Sequence, residues 1–137
     1  SNKECSFAYR SSIFQKNKEI ILEASFELQK SERNILESEI ENAMKSRREK
    51  QPLDKPNAGS AFKRPKEGFP GAFIEQAGLK GFKIGDAQVS EKHANFIVNL
   101  GNATAKEIAE LFNYVEQKVY ERFQIKLERE VIFLGDF

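Results

Sequence analysis

The 137-residue chain has one cysteine, one histidine, one methionine and no tryptophan, and each scarcity excludes a class of structure or chemistry. With Cys5 alone there is no internal disulfide framework and no multi-cysteine zinc site, so no metal is expected and a reducing, cytoplasmic setting fits. Charge of one sign is missing too: 22 Lys and Arg stand against 21 Asp and Glu, for a formal net charge of +1. No global field gathers nucleic acid or a membrane surface, and any anion has to be recognised locally. No apolar run approaches the ~20 residues of a membrane span, and no signal peptide is visible. Low-complexity tracts and internal repeats are absent. The chain opens on Ser1-Asn2 rather than Met, which points to a piece excised from a longer protein.

What is present is a modest core and a clear alternation of elements. Twelve Phe supply much of the apolar volume of a chain one domain long. Ile20, Leu22, Ala24, Phe26 and Leu28 fall on one face with Glu23, Ser25 and Glu27 on the other, which predicts a strand with one wet side. Ser31 offers an N-cap, and Leu36, Ile40, Ala43, Met44 and Arg47 recur at helical spacing, predicting a helix over 32–49. Its end, Lys45-Ser-Arg-Arg-Glu-Lys50, suits the negative end of the macrodipole; a solvated cap is a commoner reading of such a cluster than a nucleic-acid patch. Gln51 to Pro56 marks an internal boundary. Beyond it the pattern predicts a short helix over 72–79 and strands over 83–90, 95–100 and 125–134. Thr104-Ala-Lys-Glu107 is a capping box that opens the best helix, with Ile108, Leu111, Phe112, Val115, Val119 and Phe123 as its apolar stripe. The expected fold class is α+β, a small sheet covered by two or three helices.

One stretch, Asn57-Ala-Gly-Ser-Ala-Phe-Lys-Arg-Pro65, concentrates chemistry. Gly59 permits a tight turn or a close approach of backbone to ligand, and Pro65 biases Arg64 to extended geometry. Ser60 then opens a short strand, with Lys63 and Arg64 on opposite sides of it. Taken alone, these residues fit a plain turn entering a strand better than they fit a site. Likewise Glu128 and Glu130 fit an exposed edge strand, and the lone His93 fits a surface hydrogen bonder.

Four blocks in order say more: Gly59-Ser-Ala-Phe-Lys-Arg-Pro65, Gly71-Ala-Phe-Ile-Glu-Gln-Ala-Gly-Leu-Lys-Gly81, Ile84-Gly-Asp-Ala-Gln-Val-Ser-Glu-Lys-His-Ala-Asn-Phe-Ile-Val-Asn99 and Leu127-Glu-Arg-Glu-Val131. Together they resemble the C-terminal part of UDP-N-acetylenolpyruvoylglucosamine reductases, the flavoenzymes that make UDP-N-acetylmuramate for peptidoglycan. The resemblance implies an enzyme in which FAD, reduced by NADPH, delivers hydride to C3 of UDP-N-acetylglucosamine enolpyruvate while an acid protonates C2. Ser60 matches the family's proton donor, and Glu130 the carboxylate that works beside the substrate acid group. A serine hydroxyl suits that role only where cations or donors such as Lys50 or Lys63 favour its alkoxide. Lys50 in Lys-Gln-Pro resembles the family's substrate-positioning lysine. Lys63, Arg64, Gln88 and His93 fall in substrate-facing blocks, although Arg64 stands where some relatives carry Asn. Arg10 lies in a segment resembling the close of the flavin-binding region.

The resemblance also implies a division. Residues 1–51 would end the FAD-binding domain as strands plus a helix, residues 52–126 would form the substrate-binding domain, and residues 127–137 would return as a strand toward the flavin region. No Gly-rich phosphate-cradling loop occurs in the chain, so the bulk of the flavin site and the family's catalytic arginine would lie upstream of Phe7. The connections after Tyr9-Arg10 and after the Ser60 strand are short, as in the shorter subclass. The alternative is a non-catalytic nucleotide-sugar-binding or protein-interaction module on the same scaffold.

Overall fold

The computed structural model describes residues 2–135. They fall into two compact units, one up to Leu36 and one from Glu37 onward.

In the first unit, Ala8 and Ser11 exchange two backbone hydrogen bonds around a turn in which Arg10 takes φ +52°. Helix α1 (Ile13–Asn17) follows, entered through Ser12, whose N–H donates to Gln15 Oε1 at 3.2 Å. The strand predicted over 20–28 is not formed. Its apolar alternation survives as exposed side chains, with Leu22 at 92% and Phe26 at 80% accessibility. A lone strand leaves its own N–H and C=O groups without a ladder, and among the described residues no segment pairs with this one.

Helix α2 (Arg33–Lys50) starts in the first unit and runs on into the second. The Glu32 carbonyl accepts its first bond, from the Leu36 N–H, so the cap falls one residue after Ser31. No residue of α2 is buried. Among the described residues no helix is long and apolar enough to cross a membrane.

The second unit is built on a four-stranded antiparallel sheet, β1 (Asn57–Ser60), β2 (Lys83–Ile84), β3 (Ala87–Val89) and β4 (Phe96–Asn99), in the order β1-β4-β3-β2. The α+β expectation therefore holds. Where one strand was predicted over 83–90 there is a hairpin, turned at Gly85-Asp86 and pairing Ile84 with Ala87. Asp86 fixes the turn by accepting from the Leu100 N–H through its carbonyl and from the Asn102 N–H through Oδ2, both at 2.9 Å. Helix α4 (Ala105–Phe123) packs on β2 and β3, and α3 (Pro70–Gln76) packs on α4. The capping box at Thr104 forms as expected, with the Glu107 N–H donating to Thr104 Oγ1 and the Thr104 N–H donating to Glu107 Oε2.

The α4 stripe makes the core. Leu111, Phe112, Val115 and Val119 are buried against Ala87, Val89, Ile97, Phe62 and Ile74. Each such side chain contributes about 1.5–3 kcal/mol by leaving water. Phe62 and Phe112 meet at 5.2 Å between centroids, and Phe82 stacks on Tyr114 at 4.4 Å. The final segment also departs from expectation: residues 125–134 are not a continuous strand but cross Ala61–Lys63 through a single bridge, Phe62–Arg129.

Candidate functional site

The site starts from the turn before β1. Asn57 Nδ2 donates to the carbonyls of Pro52 at 3.0 Å and Lys55 at 2.8 Å, while its Oδ1 accepts the Gly59 N–H at 2.9 Å. One side chain thus ties the proline loop to the glycine turn. Asn57 pairs with Val98 and Ser60 with Phe96, so three steps on β1 oppose two on β4. The extra residue is accommodated at Gly59, whose φ of +82° glycine adopts without strain. Ser60 therefore closes β1 rather than opening a strand, and the bulge sets its direction.

Past Ser60 the chain dips into the core at Ala61 and Phe62 and emerges at Lys63. Asn95 makes that dip possible. Its Oδ1 accepts the Phe62 N–H at 3.1 Å and its Nδ2 donates to the Phe62 carbonyl at 2.9 Å, while its own carbonyl accepts the Ala61 N–H at 2.8 Å. Lys63 and Arg64 leave toward different partners. Lys63 Nζ meets Glu128 Oε1 at 2.5 Å, and the Arg64 guanidinium lies 4.0 Å from the centroid of the Phe69 ring.

Glu130 arrives from the other end of the chain. Its N–H donates to the Ala61 carbonyl at 2.9 Å, which brings the segment carrying Glu130 alongside the residue after Ser60. Segments 70 residues apart in sequence thus run side by side around the Phe62–Arg129 bridge. His93 enters from the turn after β3. Ser90 Oγ accepts the N–H groups of Lys92 at 3.1 Å and His93 at 3.3 Å, and His93 Nδ1 accepts the Asn95 N–H at 3.1 Å. With Nδ1 an acceptor, the proton of the neutral ring sits on Nε2, which becomes a donor. The ring leans edge-on against Phe96, at 5.0 Å between centroids, and Phe96 is the cross-strand partner of Ser60.

Lys50 ends α2, and Lys92 Nζ donates to the Arg48 carbonyl at 2.9 Å, tying that last turn of helix to the His93 turn. Gln88 is 8% exposed and donates through Nε2 to the Gly81 carbonyl at 3.1 Å, so part of its amide serves the hairpin. With Ser90, Lys92 and the Pro52–Lys55 loop it lines a polar cavity of about 160 Å³. Arg10 belongs to the first unit, its guanidinium 5.6 Å from the Tyr9 ring centroid. A separate apolar cavity of about 330 Å³, lined among others by Ile97, Ile108, Val131 and Phe133, holds none of the candidate side chains.

The second unit thus gathers a hydroxyl, a carboxylate, an imidazole donor and several cations around one end of a small sheet, a set suited to a polar, anionic ligand and to moving a proton. The family described as the C-terminal domain of UDP-N-acetylenolpyruvoylglucosamine reductase matches residues 51–134. This chain belongs to that family. Proteins named UDP-N-acetylenolpyruvoylglucosamine reductase from Thermotoga petrophila and Fervidobacterium nodosum are 46% and 50% identical to it over 132 and 130 residues. Those alignments cover 96% and 93% of this chain but 46% and 42% of the relatives, so the chain spans under half their length. The crystal structure of the reductase from Thermus caldophilus superposes with a TM-score of 0.61 at 36% identity, covering 76% of this chain and 37% of that one.

Three family-domain residues carry geometry that sequence reading did not assign: Asn95, Lys92 and Asn57. Asn57 and Asn95 had a signal, each an amide beside a turn or strand end. Lys92 had none, because its partner lies 44 residues away.

Proposed function

We infer that this chain is the substrate-binding and proton-donating C-terminal part of an NADPH-dependent, FAD-containing reductase. The reductase converts UDP-N-acetylglucosamine enolpyruvate to UDP-N-acetylmuramate for peptidoglycan, in the cytoplasm. Residues 52–126 bind the substrate, residues 1–51 close the flavin-binding domain, and residues 127–137 return toward it. The observation that supports this most directly is the Glu130 N–H to Ala61 carbonyl bond, which brings the segment carrying Glu130 beside the residue that follows Ser60.

On this reading Ser60 gives a proton to C2 and Glu130 works beside the substrate carboxylate. His93 Nε2, Lys50, Lys63, Arg64 and Gln88 hold the nucleotide-sugar. The ion pair of Lys63 with Glu128 leaves its ammonium shared between that carboxylate and any ligand phosphate. On this reading Arg10, on an exposed turn, is this chain's contribution to the flavin site. FAD and NADPH belong on this reading to the amino-terminal region of the reductase.

Ser60→Ala in the intact reductase tests the assignment. Turnover of the enolpyruvyl substrate is expected to fall by about 10²–10⁴-fold, the usual worth of a general acid, with UDP-sugar affinity kept within about twofold. Near-normal turnover would remove Ser60 from the chemistry and favour the non-catalytic binding module.

A further inference from the structure

The segment that carries Glu130 is thinly attached to the sheet. Around the Phe62–Arg129 bridge it makes two backbone bonds, Lys63 N–H to the Glu128 carbonyl at 2.8 Å and Glu130 N–H to the Ala61 carbonyl at 2.9 Å. No tight turn joins these two stretches, and a one-residue slip would send every side chain to the opposite face. Side chains must therefore fix the register.

Arg129 is placed to do so. Its Nε donates to Glu116 Oε1 at 2.5 Å and its Nη2 to Glu116 Oε2 at 2.9 Å, while Nη2 also donates to Asn113 Oδ1 at 2.6 Å. Asn113 and Glu116 are three residues apart on α4, so the guanidinium docks on the middle of the best-packed helix. Its carbon lies 4.7 Å from the Phe133 ring centroid and 5.4 Å from that of Phe112. Both partners of the ion pair are 28% exposed. Exposed ion pairs contribute little, but a two-pronged Arg–carboxylate contact fixes direction as well as distance. The hydrogen bond that Arg129 donates to the Glu116 carboxylate raises the Arg129 pKa above its ordinary value, so the fork stays charged at any working pH.

We propose that Arg129 is a positioning residue: by fastening one face of residues 127–131 to Glu116 and Asn113 of α4, it fixes where Glu130 stands beside the Ser60 strand. The inference rests on the reading that Glu130 acts on the substrate. Residues on the two faces of one segment then divide the work, one anchoring and the other meeting the ligand.

Two measurements test it. In this chain, Arg129→Ala and the milder Arg129→Lys should speed hydrogen exchange at the Lys63 and Glu130 amides by about tenfold or more, while the Val89 and Ser90 amides stay as they were. In the intact reductase, Arg129→Lys should lower kcat by about 10–100-fold with KM nearly unchanged, the loss that goes with displacing a reacting group by roughly 1 Å. The exchanged pair, Arg129→Glu with Glu116→Arg, should recover part of both. Unchanged exchange at the two amides overturns the anchoring, and faster exchange with unchanged kcat overturns the positioning role. Glu130→Gln serves as the reference. Were it to turn over normally, the reading of Glu130 itself would have failed, whatever the Arg129 variants do, and the positioning role would fall with it.

Discussion

Residues 20–28 and residues 87–99 both carry apolar side chains in strand-like order, yet Leu22 is 92% exposed where Val89 is fully buried. The stretch from Ala87 to Asn99 finds its partners within the same unit: β3 lies between β2 and β4, and α4 covers it. Residues 20–28 have the cleaner alternation and no partner strand among those described. Periodicity records what a segment needs, namely a neighbour on each edge and a layer on its apolar face. Whether a given stretch of chain supplies them is a separate matter.

The contrast can be tested by substitution. The largest effect is expected at Phe62, 1% exposed and in ring contact with Phe112: Phe62→Ala should cost about 3–5 kcal/mol in a denaturant melt of the second unit. A loss under about 1 kcal/mol would mean that the core is far looser than its burial implies. Asn95→Ala comes next. It strands two buried backbone groups of Phe62, and about 1–3 kcal/mol should be lost, with the Phe62 amide exchanging faster than that of Val89. Wild-type exchange at Phe62 would show that water or another group replaces the amide at no cost. Smallest of all should be Leu22→Asn, within about 0.5 kcal/mol. A clear destabilisation there would break the comparison, because it would mean that residues 20–28 are packed against something in solution.

Most of the second unit could be read from its sequence. Thr104 and Glu107 sit at capping-box spacing, and the stripe from Ile108 to Val119 is a face of one helix, so both signals are local. The hairpin at 83–90 is also legible in the sequence. Gly85-Asp86 between Ile84 and Ala87 is a two-residue turn signal, which an unbroken strand reading ignores. Residues 125–134 mislead for a different reason. Leu127, Arg129, Val131 and Phe133 do face inward, so their period of two is real, but the cause is packing against α4 and Phe62 rather than a ladder. The pairing of the Ser60 and Glu130 segments has no signature in either segment. It is made by a register across 70 residues, and a family resemblance could suggest it where periodicity could not.

The amide of Asn95 occupies the place that a further strand would take beside Phe62. On the opposite side the Ala61 carbonyl is taken by the Glu130 N–H, so the backbone polar groups of Ala61 and Phe62 are all committed inside the protein. A peptide cannot add itself to the sheet there, and no ligand can be read by main-chain atoms at those two residues. Under the proposed reading, recognition beside Ala61 and Phe62 falls to side chains such as those of Lys63 and Arg64. On that reading, ligand preference could shift by single substitutions at Lys63 or Arg64 while the backbone beneath them stays the same.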